Sequence, residues 1–283
     1  MAEGPEVRRL ADQLNQRLRA RLIRRVEAPG RMRRHLGPRL KRLRGARIRR
    51  ASARGKVLWL EFSTGDILLH HMRVWGHWTF SPPRRRPHPE RPRRRLRVEF
   101  VTATRRASLW DAPVVELLSR EELRAHPLLS AQGPDGLARP FNRKEFLRRL
   151  AEPRRAGQEI GKVLLDQQVV AGVGNMYKAE VLFLCGLHPR TRVAQLAATE
   201  RRCLARTIPR VLWKAYKRPV WYVPASRRAK GKGKKLLQIY GRAGQPCPRC
   251  GARIRRFPQG GPKRPAFYCP RCQPRPRRGQ SAR

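Results

Sequence analysis

Four cysteines constrain this chain more than any other feature of it. Cys247 and Cys250 are separated by two residues, Cys269 and Cys272 likewise, and eighteen residues lie between the pairs. Two such knuckles present four thiolates as a tetrahedron, the closed coordination of a structural zinc site. The spacing therefore predicts a zinc-finger hairpin over about 236–273, followed by a basic tail, 274–283. Cys185 and Cys203 stand apart from this group in apolar, helical-looking segments. No stretch reaches the length of a membrane span, and the start of the chain lacks the apolar run of a secretory signal. The expected address is cytoplasmic and nucleoid-associated, where thiols stay reduced and paired cysteines hold metal rather than disulfides.

Charge narrows the partners. Lys and Arg number 68 against 19 Asp and Glu, for a net charge of +49. Part of that excess follows from a chain rich in Arg, Ala, Gly and Pro throughout, but composition bias alone does not remove acids to this extent. A field of this sign favours polyanions, nucleic acid foremost, and excludes a membrane-embedded role.

The 283 residues suggest two domains, each large enough for its own core. After Pro5, the apolar residues Val7, Leu10, Leu14, Leu18 and Leu22 recur every three or four positions, which predicts an amphipathic helix. VLWLEF (57–62), DILLHH (66–71), LRVEF (96–100) and ASLWDA (107–112) read as strands of an antiparallel structure. The Pro- and Arg-rich segment 81–95 between them reads as an extended loop. From about residue 143 the pattern turns helical, through KEFLRRL, KVLLDQQVV, NMYKAEVLFLCGL and RCLARTIPRVLWKAY. The expected class is α+β in two domains. A β-sandwich with flanking helices occupies 1–138, and a helical domain occupies 139–235 ahead of the cysteine module. The basic stretch 227–236 reads as a mobile loop.

Two shorter motifs carry chemistry. In LLDQQVVAGVGNMYKAEVLFLCGLHP (164–189) two helical patterns flank AGVGN, where Gly172 and Gly174 permit a tight connection and Asn175 falls where its side chain would cap the next helix. Helix-start amides there suit a phosphate. The chain also opens MAEGPE, which supports two readings. In one, Pro5 starts a helix and Glu6 sits in its favourable first turn. In the other, Met1 is removed before the small Ala2, and the exposed α-amine is a nucleophile with Glu3 as its proton partner.

MAEGPE, the RGK of 54–56, the GVGN of 172–175 and the terminal YGRAGQPCPRCG…FYCPRC, in that order, resemble the formamidopyrimidine-DNA glycosylase/endonuclease VIII family of base-excision repair enzymes. The resemblance runs from residue 2 to about residue 273. EGPE and VVELLSREELRAHPLLSAQGPD (114–135) look like the endonuclease VIII branch, and the Arg-Phe loop of the 8-oxoguanine branch is not recognisable near 109–119.

The resemblance implies a helix-two-turns-helix in the helical domain and a reaction at the chain's own start. The α-amine of Ala2 attacks C1′ of a damaged nucleoside to form a Schiff base, and Glu3 transfers the proton at the sugar ring oxygen. Elimination then cuts the strand. Lys56, Asn175 and Arg264 contact phosphates beside the lesion, with Lys56 and Arg264 also serving the two eliminations, and Glu6 belongs to the same DNA-facing set. Arg73, Val74 and Trp75 fill the hole left by the flipped nucleotide. Zn2+ is held by Cys247, Cys250, Cys269 and Cys272, one ion per chain, and a monomer acts on damaged DNA, removing oxidised bases, pyrimidines by preference. Ala2 departs from the family's proline, offering a primary amine that still forms an imine. A lapsed DNA- or RNA-binding paralogue with the same fold and zinc module is the competing reading.

Overall fold

The structure, a computed structural model, describes residues 2–85, 92–218, 237–259 and 265–275. The chain divides into two compact units, 1–131 and 132–283. The division falls seven residues before the expected 138/139 boundary because 132–138 is bound to the second unit. Gly133 N–H donates to Gln167 O, Gly136 N–H donates to Ala171 O, and Asp135 bridges Ala171.

In the first unit, helix α1 (Gly4–Leu18) is followed by strand β1 (Arg25–Glu27), helices α2 (Gly30–Leu36) and α3 (Arg39–Arg42), and strands β2 (Ile48–Arg54), β3 (Val57–Phe62), β4 (Ile67–His71), β5 (His77–Ser81), β6 (Leu96–Val101), β7 (Arg106–Trp110) and β8 (Val114–Leu118). Helices α4 (Arg120–Ala125) and α5 (Pro127–Ser130) close the unit. Two antiparallel four-stranded sheets form, ordered β1-β6-β7-β5 and β2-β3-β4-β8. Their inner faces share one core, in which Leu58, Leu60, Phe62 and Leu68 of one sheet meet Val98, Phe100, Ala107 and Leu109 of the other. The Phe62 and Phe100 rings sit 5.5 Å apart at a tilt. The sandwich arises because each sheet carries an apolar face to bury; β6 alternates apolar and polar residues, whereas β4 and β7 are buried at nearly every position. The apolar stripe of α1 (Val7, Ala11, Leu14, Leu18) closes the same core.

The second unit contains α6 (Arg143–Leu150), α7 (Ile160–Val163), α8 (Asn175–Leu184), α9 (Ala198–Lys217) and the hairpin β9 (Arg255–Pro258) and β10 (Pro265–Tyr268). KVLLDQQVV is helical only in its first residues. From Leu164 to Gly174 the chain runs in turns, and Gln167 stitches them by donating to Leu165 O and Val173 O while accepting from Gly172 N–H. A periodic apolar pattern cannot reveal that a side chain has taken over the backbone's hydrogen bonds. Helix α8 is buried almost all round. One side joins the helical core (Met176, Tyr177, Val181, Leu182), and Ala179 and Phe183 join a smaller core with Ile239, Ile254, Phe267 and two of the paired cysteines.

Cys185 and Cys203, apart in the sequence, are brought together where α8 ends against α9. Their Cα atoms are 5.9 Å apart and the pair forms a disulfide, a partnership that their separate places in the sequence did not announce. No described helix is long and apolar enough to cross a membrane.

Candidate active site and metal centre

Helix α1 starts at Gly4, with Glu3 as its N-cap and Pro5 inside its first turn. The Glu6 carboxylate accepts from the Glu3 N–H at 3.1 Å, the return half of a capping box, and pairs with Arg9 at 3.0 Å. The helix-start reading of MAEGPE holds, and it is compatible with the chain-start reading. The helix start is real, and capping fixes Glu3 in place, 2% exposed, directly after Ala2, which packs on the sandwich core.

The fold brings Lys56 to that same end. The Asn15 side chain grips both backbone groups of Ala51, accepting its N–H at 2.7 Å and donating to its carbonyl at 2.8 Å, and farther on Ala20 N–H donates to Ile48 O. Helix α1 and strand β2 thus run antiparallel. Twelve residues back along the helix, about 18 Å from the grip, lies Glu3; three residues forward in the same direction, about 10 Å, β2 ends at Arg54, with Lys56 in the turn beyond it. Gly55, at φ 57°, forms the two-residue turn that carries Lys56 into β3.

Strand pairing adds the third element. Val57 faces His71 across β3 and β4, so the turn after β4 lies beside Lys56. Arg73, at φ 45°, donates its N–H to His71 Nδ1 at 3.0 Å, and Gly76 N–H returns to Met72 O. Gly76 is required there, because a Cβ would lie 2.7–2.9 Å from Met72. The turn holds Trp75 at 74% exposure and Val74 at 47%, two of the three large apolar residues that the described chain exposes. Burial, then the charges of Lys56 and Arg73, lower the His71 pKa to about 4. His70 behind it is fully buried, with its pKa lowered to about 3, and accepts from Trp78 Nε1 at 2.9 Å. Both imidazoles are neutral supports near neutral pH. Between β7 and β8 only Asp111, Ala112 and Pro113 intervene, which leaves no room for an inserted loop.

In the second unit Asn175 is not a cap. Gly174 holds the N-cap position in extended backbone, and only Gly172, at φ 93°, needs glycine's freedom. The Asn175 amide donates instead to Pro265 O at 3.0 Å, leaving its Oδ1 buried without a partner. Tertiary contact with the hairpin has displaced local capping. Arg264, directly before Pro265, lies outside the described residues, as do the stretch 227–236 and residues 86–91 of the Arg-rich loop 84–95.

Cys247, Cys250, Cys269 and Cys272 converge with all four sulfurs within 4.8 Å of one another. Cys250 and Cys269 are 3.4 Å apart and Cys247 and Cys272 are 3.9 Å apart, close to the ~3.8 Å edge of a tetrahedron with 2.3 Å metal–sulfur bonds. The N–H groups of Arg249 and Cys272 point at Cys247 and Cys269 sulfurs, each at 3.4 Å, as suits thiolates. The group fits a metal ion.

Sequence reasoning missed the contacts that seat this module. Fully buried Lys178, one turn beyond Asn175, donates to Gln259 Oε1 at 3.3 Å, and Gln259 Nε2 donates to Glu159 Oε2 and Pro189 O, each at 2.9 Å. An ideal Cβ on Gly161 would overlap Gln259 Oε1 and lie 2.7 and 2.8 Å from Nε2 and Cδ, so Gly161 makes the slot. The hairpin is thus pinned to α8 on both sides of 260–264, at Gln259 and at Pro265. Buried Glu180 receives the N–H groups of Gln238, Ile239 and Tyr240 at 2.9–3.0 Å, and burial raises its pKa. Lys178 and Glu180 in an otherwise apolar helix were the available signal.

Comparison with known proteins matches this arrangement. Residues 1–112 match the formamidopyrimidine-DNA glycosylase N-terminal domain, and residues 132–220 match the formamidopyrimidine-DNA glycosylase H2TH domain. Endonuclease 8 of Salmonella arizonae is 31% identical over 281 residues, covering 96% of this chain and all of the relative, and Endonuclease 8 of an Escherichia coli strain is 31% identical over 283 residues with the same coverage. Lactococcus lactis Fpg (MutM), solved with DNA containing N7-benzyl-Fapy-dG, superposes with a TM-score of 0.83 at 29% identity, covering 96% of this chain and all of that one. The same protein bound to DNA with an abasic site gives 0.82 at 29%, covering 97% of this chain and all of that one. With both domain models in order along the chain and full-length relatives above 30% identity, this protein belongs to the formamidopyrimidine-DNA glycosylase/endonuclease VIII family.

Proposed function

We propose that this chain is a DNA glycosylase with AP lyase activity in base-excision repair of oxidised bases, working through its own N-terminal amine. The observation that carries this reading is the gathering, at one end of the first unit, of the chain start with Glu3, the Lys56 turn and the exposed Arg73–Trp75 turn. With Met1 removed, the α-amine of Ala2 has a pKa near 7.7–8.0, so on the order of a tenth or more is free base at neutral pH. It attacks C1′, the C1′–N bond breaks, and the base departs with its electron pair. Glu3 supplies the proton that opens the sugar at its ring oxygen, leaving a Schiff base on Ala2. That imine acidifies the C2′ proton, and its loss expels the 3′ phosphate.

Lys56 holds the phosphate beside the lesion and assists the elimination, with Arg264 and Asn175 on phosphates from the second unit. Trp75, flanked by Arg73 and Val74, takes the space of the extruded nucleotide, for which a rigid exposed aromatic is well suited. Glu6 supports Glu3 by fixing its backbone. The four cysteines hold one Zn2+, which folds the module and adds nothing to the chemistry. Oxidised pyrimidines fit the endonuclease 8 relatives and the short β7–β8 connection. The reading includes a single chain acting at each lesion in a nucleoid setting.

The test is borohydride trapping on abasic-site DNA, followed by mass spectrometry of the adduct. Attachment at Ala2 is the expected result. Attachment at Lys56 or another lysine overturns the nucleophile, and the absence of any adduct with DNA binding intact favours the lapsed, binding-only paralogue.

A further inference from the structure

Between Glu27 and Glu61 the chain has no acidic residue and twelve Lys and Arg. Much of this run lies far from the chemistry. Residues 20–24 and 45–48 form a short antiparallel ribbon in which Ala20 N–H donates to Ile48 O (2.8 Å), Ile48 N–H to Arg21 O (3.3 Å), Ile23 N–H to Ala46 O (2.9 Å) and Gly45 N–H to Ile23 O (2.9 Å), with Leu22 bridging Arg47. Ile23, Ala46 and Ile48 turn into the core. The opposite face presents Leu22, Arg24, Arg47 and Arg49, flanked by exposed Arg19, Arg21 and Arg44.

These cations are not neutralised within the molecule. Arg47 donates to Ala20 O, and the nearest acid in sequence, Glu27, is held by Arg25 at 2.9 Å. Among the described residues Arg19, Arg21, Arg24, Arg44 and Arg49 make no ion pair or side-chain hydrogen bond. The ribbon sits where α1 ends and β2 begins, whereas Glu3 and Lys56 sit where α1 begins and β2 ends. A fifteen-residue helix and a seven-residue strand each put roughly 20 Å between the two ends.

We propose that this ribbon is a second duplex-DNA surface, binding the phosphate backbone of a DNA segment other than the one at the active site. Arg47 and Arg49 flank buried Ile48 at the bulged start of β2, both exposed and within about two residue rises of each other, on the order of the gap between neighbouring phosphates on one strand. Arginine pairs with phosphate through two parallel N–H donors. Residues 19–50 contain no Phe, Trp or Tyr, so the surface lacks the stacking platforms that single strands use, unlike the Trp75 end. Leu22, 42% exposed, is its lone large apolar residue among those described, too little to enter a bilayer. A backbone reader of duplexes is what remains. Such a surface lets the protein hold one segment while it surveys another.

The experiment loads the full-length protein with one equivalent of a duplex carrying an uncleavable abasic-site analogue, then titrates a second, labelled, undamaged duplex across salt concentrations. Wild type binds the second duplex, and the triple variant Arg24→Gln, Arg44→Gln, Arg49→Gln binds it more weakly, its log–log salt slope falling by about 2.7 for three lost phosphate contacts. Affinity for the first duplex and single-turnover excision stay unchanged. Absence of a second binding event in wild type, or an unaltered slope in the variant, overturns the proposal. So does an equal loss of affinity for the first duplex, which would put the ribbon on the lesion-bearing DNA. Preferential capture of single-stranded RNA or of anionic vesicles at the ribbon also overturns it. The second-duplex readout involves no chemistry, so it stands apart from the trapping test at Ala2.

Discussion

Gly161→Ala should open the cysteine hairpin, although residue 161 lies in a helix that alanine favours. The new Cβ takes the space of the Gln259 carboxamide, which must withdraw from Lys178, Glu159 and Pro189 O together. Two of those bonds involve a charged partner and one a carbonyl. At about 1.5–3 kcal/mol for a charged hydrogen bond and about 1 for a neutral one, with strong non-additivity, the net loss is about 3 kcal/mol. Gln259→Ala removes the same bonds and should cost about the same. Placed on Gln259→Ala, however, Gly161→Ala meets no obstruction, and the helix gains roughly 0.5–1 kcal/mol. The double variant should therefore resemble Gln259→Ala rather than the sum. Hydrogen exchange at the β9 and β10 amides reads the local opening, which should quicken about 100-fold in either single variant. Additive single effects, near 6 kcal/mol in the double variant, would refute the argument that one slot seats the hairpin.

Cys247→Ser or Cys269→Ser should release zinc and weaken DNA binding while the helical core stays folded, checked by metal analysis beside circular dichroism. Stoichiometric zinc in either variant would show that the ligand set is wrong. Glu180→Gln puts an NH2 group where a carboxylate oxygen receives the Gln238 or the Ile239 and Tyr240 N–H groups, so exchange at 238–240 should accelerate while that of α9 does not. Acid should weaken the first unit through His70 and His71, whose pKa values are lowered in the fold to about 3 and about 4. Both are neutral when folded but take protons near pH 6.5 when unfolded, so their contribution is complete above pH 6.5 and is lost as pH falls toward 4. At pH 5 the loss is roughly 2 kcal/mol per histidine relative to pH 7. Denaturant titration of residues 1–131 at the two pH values measures it, and His70→Phe should flatten the dependence.

The sequence by itself determined whatever depends on short-range spacing. The convergence of the two cysteine knuckles was legible because each pair already sits at metal-ligand spacing. The strands at 57–62 and 66–71 and the helix after Pro5 were legible because periodicity in apolar residues is what a buried face requires. MAEGPE announced a helix start, since capping residues and the helix's first turn are adjacent in the chain. Only the tertiary structure decided how these pieces combine. That Lys56 lies at the same end as Glu3 depends on the antiparallel course of α1 and β2, set by the grip of Asn15 on Ala51. Asn175 gives up the cap for Pro265 O, 90 residues away, because the buried start of α8 packs against the hairpin, whose carbonyl takes the Asn175 amide. Cys185 finds Cys203 only because α8 packs on α9. Gly161 looks like a weak residue in a short helix until Gln259 enters the space its missing side chain leaves, and no local pattern can signal a contact whose partner lies 98 residues on.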